Sequence, residues 1–460
     1  MVQAGWGHLP LAGESGATGG IVVTGRAGLL ALLGILPIAV SPWPATTFVV
    51  VLAVITMALI VDAALAAGPG RAVLTRSGDT SARLGQPVDI VLEVHNSASR
   101  RLRGAIRDAW APSARADPRT RPIDIPAGGR ARLVTTLDPA RRGDQDGAQV
   151  TVRAVGPLGL AGRQRSLEVP WRVHILPPFL SRKHLPSRLA KLRELDGMVP
   201  VLIRGQGTEF DSLREYVVGD DVRSIDWRAT ARRADVVVRT WRPERDRRVV
   251  IVLDTGRTSA GRIGVDPLSS DPAGWPRLDW SIDAALLLAA LAARAGDHVD
   301  FLAHDRISRA GLFNASRREL LAQLVTVMAP LQPALVESDA TAMVAAVQRR
   351  VRRRALVVLL TDLNASALDE GLMSVLPQLA AKHQVMLAAV SDPRVDALAA
   401  GRADAAQVYD AAAAERSRNE RHVIATRLRN HGVDVIDALP EQLAPALADR
   451  YLALKAAGRL

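Results

Sequence analysis

Residues 209–226, in the middle of the chain, include six carboxylate side chains, and four of them are candidates for chemistry: Glu209, Asp220, Asp221 and Asp226. Carboxylates that fold close together can transfer protons as an acid–base pair or coordinate a metal ion. The stretch contains no histidine that could complete a catalytic triad. Arginines occur between and after the carboxylates, at Arg214, Arg223, Arg228 and Arg232. We therefore favour ion pairing and turn capping for these carboxylates, with a hydrolase that uses them as the alternative.

Two other aspartates follow apolar runs that are typical of buried parallel strands. Val249–Leu253 leads to Asp254, and Ala355–Thr361 leads to Asp362. In open α/β sheets, ligands bind at the carboxyl ends of the strands, where the strand order reverses. The two aspartates are therefore candidate ligand-binding residues at one edge of a sheet.

The elements that must position these aspartates alternate between strand and helix through residues 248–460. This alternation predicts a doubly wound α/β domain. The other predicted strands are His298–Ala303, Ile307–Phe313, Gln384–Val390 and Val433–Ile436. The predicted helices are Asp279–Arg294, Ser316–Met328, Asp339–Arg350, Glu370–Lys382, Glu415–Asn430 and Pro440–Leu454.

Short alternating strands separated by Gly, Pro, Asn and Asp turns occupy residues 73–178. Strands with this spacing and these turn signals predict an antiparallel β-sandwich. The clearest predicted strands are Val88–Val94, Ala131–Leu137, Ala148–Val155 and Trp171–Leu176. Residues 179–247, which include the carboxylate stretch, are predicted to connect the sandwich to the α/β domain.

Two uncharged apolar runs, Ala27–Val40 and Ala45–Val61, follow a Gly-rich segment over residues 1–25 that we predict to be a flexible tail. A membrane-spanning helix needs about 20 mainly apolar residues, with roughly 17 as the minimum. The turn between the runs, Ser41-Pro42-Trp43-Pro44, contains two prolines. Residues 26–68 are therefore predicted to form a transmembrane hairpin of two helices.

The charges that flank the predicted hairpin indicate its orientation. Arg26 precedes the first run, Arg71 and Arg76 follow the second, and the turn between the runs carries no charge. By the positive-inside rule, both ends of the hairpin lie in the cytoplasm. The sequence thus predicts a multi-pass protein of the inner membrane with the bulk of the chain cytoplasmic.

Composition narrows the choice of partners. The 460 residues include no cysteine, which excludes disulfides, thiolate metal sites and a cysteine nucleophile. The net charge of +12 is carried mainly by arginine, while aromatic residues make up only 3%. Nucleic-acid binding is not expected, because no recognised motif is present and aromatic residues do not alternate with the basic runs. Anionic membrane lipid is the expected partner of the positive charge.

The carboxylate stretch belongs to a longer pattern, G-x-E-F-x-x-L-R-E-Y-x-x-G-D-D-x-R-x-I-D-W-x-x-T-A-R, which runs from Gly207 to Arg232. This pattern resembles the signature of the bacterial family named domain of unknown function 58. We predict a structural or docking role for its residues Glu209, Phe210, Arg214, Tyr216, Gly219, Asp220, Asp221, Arg223, Asp226 and Trp227.

The resemblance implies that the α/β domain is similar to a von Willebrand A domain, whose metal-ion-dependent adhesion site begins with D-x-S-x-S. Here that loop reads Asp254-Thr255-Gly256-Arg257-Thr258, so one hydroxyl is replaced by glycine and an arginine is added. The implied metal ligands are Asp254, Thr258, Thr341 and Asp362, with Asp339 as a rival of Thr341. Mg²⁺ is the candidate ion, and a vestigial site without metal is the alternative.

The resemblance also implies a partner, since members of this family are commonly associated with AAA+ ATPases of the MoxR type. It implies no reaction, and no cofactor-binding or catalytic residue is predicted. The expected function is therefore that of a membrane-anchored interaction or scaffold protein that assembles or matures other proteins. The alternatives are the hydrolase considered above and an adhesin whose domains lie outside the cell.

Overall fold

The fold is taken from a computed structural model that divides into two compact units, Met1–Leu176 and Pro177–Leu460. The described residues are 19–197, 209–218, 220–233, 235–242, 247–268, 270–271, 273–364 and 371–460. Most of the predicted tail, residues 1–18, lies outside this description. So do Gly219 and the side chains of Glu209 and Phe210 in the signature.

The predicted tail is wrong for residues 19–23. They form a strand, β1 (Gly19–Val23), which pairs antiparallel with the strand β9 (Ala161–Leu176). Ile21, Val22 and Val23 are β-branched residues, which favour a strand, and pairing satisfies the backbone groups at the edge of β9. The two adjacent glycines, Gly19 and Gly20, hide this strand in the sequence.

The two apolar runs form three helices, α1 (Gly25–Leu33), α2 (Ile35–Val40) and α3 (Pro44–Leu65). The first run is divided because Pro37 has no N–H to donate to the carbonyl of the preceding turn. Within the described residues, one helical stretch is long and apolar enough to cross a membrane; it extends over Pro44–Arg71, so it includes α3 and the short turn after it, and an 18-residue window within it has a mean hydropathy of 2.7. A second spanning helix stays a prediction.

Apolar side chains are exposed along all three of these helices. The exposed set includes Leu29, Leu32, Leu36, Val40, Phe48, Val49, Val50, Leu52, Val54, Met57 and Ile60. A helix that is apolar on every face and is not covered by protein is typical of a segment in contact with lipid.

The rest of the first unit is a sandwich of two β-sheets. Its strands are β2 (Ala72–Gly78), β3 (Ser81–Arg83), β4 (Val88–Asn96), β5 (Leu102–Trp110), β6 (Thr120–Ile125), β7 (Arg130–Leu137), β8 (Gly143–Val155) and β9. One sheet has the order β1-β9-β8-β5-β6, with β3 also paired to β9, and the other has the order β2-β4-β7. All these pairs are antiparallel except β3–β9. Both sheets contribute to one core, which includes Leu92, Val94, Leu102, Ile106, Ile123, Val150 and Val152.

Helix α3 is joined to the sandwich through Asp62, which is fully buried. The Asp62 carboxylate accepts hydrogen bonds from the backbone N–H groups of Leu158 and Leu160, both at 2.7 Å, and of Ala161 at 2.8 Å. These three groups lie in and just after the turn between β8 and β9. Three donors offset the cost of burying one negative charge, so this contact fixes the end of α3 to the turn.

The second unit begins with a short helical segment and a hairpin, followed by an α/β sheet. Its strands are β10 (Glu209–Glu215), β11 (Val237–Arg242), β12 (Arg248–Asp254), β13 (Arg262–Ile263), β14 (Trp275–Pro276), β15 (His298–His304), β16 (Ser308–Leu312), β17 (Leu356–Leu360), β18 (Gln384–Val390) and β19 (Asp434–Ala438). Its helices are α4 (Leu185–Gly197), α5 (Trp227–Arg233), α6 (Arg277–Arg294), α7 (Leu320–Met328), α8 (Ala340–Arg350), α9 (Met373–Ala380), α10 (Pro393–Ala399), α11 (Ala405–Asn430) and α12 (Pro440–Ala456).

The predicted alternation of strands and helices is present in this unit. The sheet has the order β16-β15-β12-β17-β18-β19, and every neighbouring pair is parallel except β15–β16. Helix α6 packs against β12, β15 and α12, while α8, α9 and α11 share a core with side chains such as Val250, Val357 and Leu359. Helices therefore cover both faces of the sheet.

Two differences from the prediction lie between β18 and β19. Helix α10 was not predicted, and α11 begins at Ala405 rather than at Glu415. Asp392 caps α10 by accepting a hydrogen bond from Arg394 N–H, and Asp404 caps α11 by accepting one from Gln407 N–H. The alanine-rich start of α11 has strong helix propensity but little amphipathic period, so a periodicity argument misses it.

Candidate functional site

The order of the sheet reverses beside β12, because β15 pairs on one side of this strand and β17 on the other. Asp254 is the last residue of β12, and Thr361 and Asp362 directly follow β17. Asp254 and Asp362 are both buried. The two predicted aspartates therefore lie at the carboxyl ends of adjacent strands, at the position where open α/β sheets bind ligands.

Asp254 is surrounded by neutral hydrogen-bond donors. Its Oδ1 accepts from Gly256 N–H at 2.8 Å and from the Ser338 hydroxyl at 2.5 Å. Its Oδ2 accepts from the Thr361 hydroxyl at 2.6 Å and from the Thr258 hydroxyl at 3.4 Å. The hydroxyls of Thr258, Ser338 and Thr361, which lie on three separate loops, thus donate to one carboxylate.

Ser338 occupies the space that a side chain at position 256 would need. A Cβ placed on Gly256 would lie 2.1 Å from Ser338 Oγ and 3.0 Å from the carbonyl oxygen of Val336. The hydroxyl missing from the D-x-S-x-S pattern at Gly256 is therefore replaced in space by a hydroxyl from the loop before α8. The sequence alone did not indicate this exchange, because the two residues are far apart in the chain.

Asp362 has a different environment, since each of its oxygens is paired with an arginine. Arg277 Nη1 lies 2.7 Å from Oδ2, and Arg421 Nη1 lies 2.7 Å from Oδ1. Arg421 continues to Asp437 on β19, where Nη2 lies 2.7 Å from Oδ1. We call Arg277, Asp362, Arg421 and Asp437 the arginine bridge; it connects α6, β17, α11 and β19 at this edge.

The two arginines of the bridge stay positively charged. Burial lowers the pKa of Arg277, but an arginine starts so high that it keeps its proton near neutral pH. Burial also opposes the charge of Arg421, yet the hydrogen bonds and negative charges of Asp437 and Asp362 outweigh burial and raise the pKa of Arg421. The bridge therefore places two permanent positive charges beside Asp362.

The predicted magnesium ligands are only partly brought together. Thr258 donates a hydrogen bond to Asp254, but Thr341 is exposed on the first turn of α8. The hydroxyl from this part of the chain that donates to Asp254 is that of Ser338. Asp339, the rival of Thr341, caps α8 by accepting a hydrogen bond from Ala342 N–H at 2.8 Å. The described part of the chain contains no group of three or more His, Cys, Asp or Glu residues that could hold a metal ion. With Asp362 held by two guanidinium groups, these residues do not fit a Mg²⁺ site.

The described carboxylates of the signature form hydrogen bonds and ion pairs within the hairpin of β10 and β11 and within the segment between these strands. Asp220 Oδ1 pairs with Arg214 Nη2 at 2.6 Å, and Asp220 Oδ2 accepts from Val217 N–H at 3.0 Å. The hydrogen bond that Arg214 donates to Asp220 raises the pKa of Arg214. Asp221 caps a short turn by accepting from Arg223 N–H at 3.0 Å.

Asp226 caps the first turn of α5 and pairs with β11. Its Oδ1 accepts from the N–H groups of Arg228 and Ala229, both at 3.0 Å, and its Oδ2 lies 2.8 Å from Arg239. The hydrogen bond from Ala229, followed by that from Arg239, lowers the pKa of Asp226. These carboxylates are therefore structural acceptors with separate partners, and no acid–base pair is formed among those described.

Apolar side chains of the same segment face solvent. Trp227 is 66% exposed and Val218 is 95% exposed. Tyr216 is half-buried and Arg223 is exposed. We define the exposed apolar residues of this segment as the signature surface: Val217, Val218, Val222, Trp227 and Val236. Trp227 is not part of a core, and the ion pairs and turn caps around it hold the segment together.

The fold and these sites define a class: a protein with an apolar helix near its N-terminus, a β-sandwich unit and a parallel-sheet α/β unit that follows a charged hairpin. Residues 212–432 of the chain match the family described as "Protein of unknown function DUF58". This match confirms the resemblance that the signature indicated, over the hairpin and most of the α/β sheet.

Relatives with curated sequences come from mycobacteria. The chain is 28% identical over 243 residues to uncharacterized protein Rv1480 of Mycobacterium tuberculosis, and the alignment covers 49% of this chain and 72% of the relative. Uncharacterized protein Mb1516 of Mycobacterium bovis matches to the same extent.

Among solved structures, the CARDB domain of the PF1109 protein from Pyrococcus furiosus, in complex with di-metal ions, matches with a TM-score of 0.17 and 8% identity. That match covers 23% of this chain and 87% of the other. At this TM-score it supports no conclusion about this chain.

Proposed function

We propose that the protein is a membrane-anchored interaction protein that docks a partner protein through the signature surface and is not an enzyme. The observation that carries this proposal is the exposure of Trp227 and its apolar neighbours on a segment whose described carboxylates already have partners. Exposed apolar groups around a tryptophan are typical of binding surfaces, because Trp is among the residues that contribute most to protein–protein affinity.

The partner that we propose is a MoxR-type AAA+ ATPase, and the process is the assembly or maturation of other proteins. This part of the proposal rests on the resemblance of the signature. We further propose that the α/β unit is a von Willebrand A-like domain. The strand order, and the position of Asp254 and Asp362 where that order reverses, support this assignment.

For location, we propose the inner membrane, with α3 as a spanning helix and both soluble units in the cytoplasm. The orientation rests on Arg26 and Arg71 alone, because Arg76 is buried in the sandwich and paired with Asp108. A periplasm-specific reporter fused to the C-terminus should be inactive. An active reporter would instead support the alternative in which the protein is an envelope adhesin.

The docking proposal is tested by purifying the tagged full-length protein from its own membranes in mild detergent and quantifying co-purified AAA+ ATPase by mass spectrometry. We expect a Val218→Ser/Trp227→Ala variant to lose the ATPase by at least tenfold. The matched control is Leu335→Ser/Tyr409→Ser, which removes two exposed apolar side chains of the same unit outside the signature. Equal recovery with the wild type and the signature variant would refute the proposal.

The hydrolase alternative is disfavoured by the partners of its carboxylates. Asp220, Asp221 and Asp226 are each engaged by a separate backbone or arginine donor, so none is poised beside a second carboxylate to accept a substrate proton. Mg²⁺ is not part of the proposal, because the arginine bridge already neutralises Asp362.

A further inference from the structure

We propose that four arginines at the base of α3, namely Arg26, Arg71, Arg100 and Arg165, form a site for the phosphate groups of anionic phospholipids. This inference rests on the proposed membrane anchoring and adds a specific lipid-binding role to it. We call these four residues the arginine collar.

Each member of the collar lies next to α3, to the short helical turn that follows it, or to the β8–β9 turn that Asp62 holds. Arg100 Nη1 donates to the carbonyl oxygen of Ala64 in the last turn of α3, at 2.8 Å. Arg71 ends the short helical turn that follows α3. The guanidinium groups of the other two, Arg165 and Arg26, lie against Gly70 and Gly159, respectively. All four arginines are exposed.

The collar has no acidic counterpart among the described residues. None of its four guanidinium groups forms an ion pair there, whereas Arg76, Arg101 and Arg172 of the same unit each pair with an aspartate. The carboxylate at this end of α3 belongs to Asp62, and it is buried against three backbone N–H groups. Four positive charges held around one helix end repel each other unless an external anion lies between them.

Apolar residues mark the level of the membrane surface beside the collar. Ile60 and Leu65 of α3 are exposed, and so are Leu158 at the β8–β9 turn and Ile21 and Val23 of β1. Apolar groups followed immediately by arginines match the boundary between acyl chains and headgroup phosphates in a bilayer. Arginine is suited to this position, since its planar guanidinium forms bidentate hydrogen bonds with phosphate oxygens.

The test uses the full-length protein in mild non-ionic detergent and measures the midpoint of thermal unfolding with added phosphatidylglycerol, phosphatidylcholine or inorganic phosphate. We expect phosphatidylglycerol to raise the wild-type midpoint by several degrees more than phosphatidylcholine, and inorganic phosphate to have no effect. The collar variant Arg26→Gln/Arg71→Gln/Arg100→Gln/Arg165→Gln should lose this difference. Replacing the same four residues with Lys should retain only part of it, because the positive charge remains but the bidentate hydrogen bonds are lost.

The matched control removes four exposed arginines of the same sandwich outside the collar, by the substitutions Arg115→Gln, Arg119→Gln, Arg132→Gln and Arg141→Gln. It should respond to phosphatidylglycerol like the wild type. An equal response in the collar variant, or a response reproduced by inorganic phosphate, would overturn the collar. Resistance to alkaline carbonate extraction from phosphatidylcholine vesicles is measured in parallel; extraction of the wild type would overturn the membrane anchoring itself, together with the collar.

Discussion

At the residue scale, Gly256 and Ser338 share one space beside Asp254. The Ser338 hydroxyl lies where a β-carbon of residue 256 would stand, and the Asp254 carboxylate accepts from it. A side chain at position 256 is therefore compatible with the fold only when residue 338 leaves this space empty, and the reverse also holds. This dependence accounts for a glycine at position 256 beside a serine at position 338.

We predict that Gly256→Ser destabilises the second unit by about 1–3 kcal/mol, because overpacking forces Ser338 away from Asp254. The double variant Gly256→Ser/Ser338→Gly should recover part of this loss, since the new hydroxyl then replaces the old one. Chemical denaturation of the wild type, both single variants and the double variant measures the coupling, expected at about 0.5–3 kcal/mol. Additive effects would contradict the shared space.

Asp283 is a second residue whose environment has a measurable consequence. It is buried on α6, and Ser181 N–H donates to its carboxylate at 3.1 Å. Burial raises the pKa of Asp283 to about 6 from 3.8, and the hydrogen bonds from Ser181 only partly oppose this. The folded state therefore binds a proton more tightly than the unfolded state does, so stability falls as the pH rises from about 4 to about 6.

We predict that Asp283→Asn raises stability at pH 7.5 by about 1–3 kcal/mol, because asparagine keeps an acceptor for Ser181 without the buried charge. At about pH 3 and below, the wild type and the variant should converge, since Asp283 is then mostly protonated in both folded and unfolded states. Thermal unfolding at about pH 3 and at pH 7.5 tests this, with Asp410→Asn at an exposed position of α11 as the control. A variant that is less stable than the wild type at pH 7.5 would show that the ionised carboxylate is needed.

At the element scale, the most consequential contact joins α3 to the β8–β9 turn. The single carboxylate of Asp62 accepts hydrogen bonds from three backbone N–H groups of a turn that lies roughly a hundred residues further along the chain. Thr24, just before α1, donates its hydroxyl to the carbonyl oxygen of Gly159 at 2.6 Å in the same turn. The turn is thus held from both sides of the helical segment.

We predict that Asp62→Ala opens this turn. Hydrogen bonds to a charged group contribute about 1.5–3 kcal/mol each, so amide hydrogen exchange at Leu160 and Ala161 should accelerate by about 100-fold. Asp79→Ala, at an exposed turn of the same sandwich, is the control and should leave these amides protected. Unchanged exchange at both amides would mean that strand pairing alone holds the turn.

At the scale of the whole molecule, local sequence patterns predicted the strands and helices. They did not predict the side-chain contacts between residues that are far apart in the chain. Val249–Leu253 within β12 and Leu356–Leu360, which form β17, are buried because uninterrupted apolar runs suit a sheet that is covered on both faces. Asp254 and Asp362 were found from their positions at the ends of these strands. Ser338, Arg277 and Arg421 were not, because their contacts with these aspartates join distant parts of the chain.

The prediction of membrane orientation from the flanking arginines is limited in the same way, because it uses only the position of a residue along the chain. Arg76 follows the apolar runs closely enough to be counted as a membrane-flanking charge, but β2 carries it into the sandwich, where Asp108 and backbone carbonyls bind it. A residue's distance along the chain from a membrane segment does not show whether its side chain reaches the surface. The side chains of Arg26 and Arg71 do reach the surface, since both residues are exposed.

The pairing of β1 with β9 limits how many times the chain can cross a bilayer. Strand β1 precedes α1 and β2 follows α3, and both strands belong to the same folded sandwich. A chain that leaves a body and returns to it crosses an even number of times, so if α3 crosses, the segment Gly25–Val40 must make the return passage. At about 1.5 Å per residue this segment is only about 24 Å long, against a hydrocarbon thickness of about 30 Å. The lipid beside α1 and α2 would then be thinner than its surroundings.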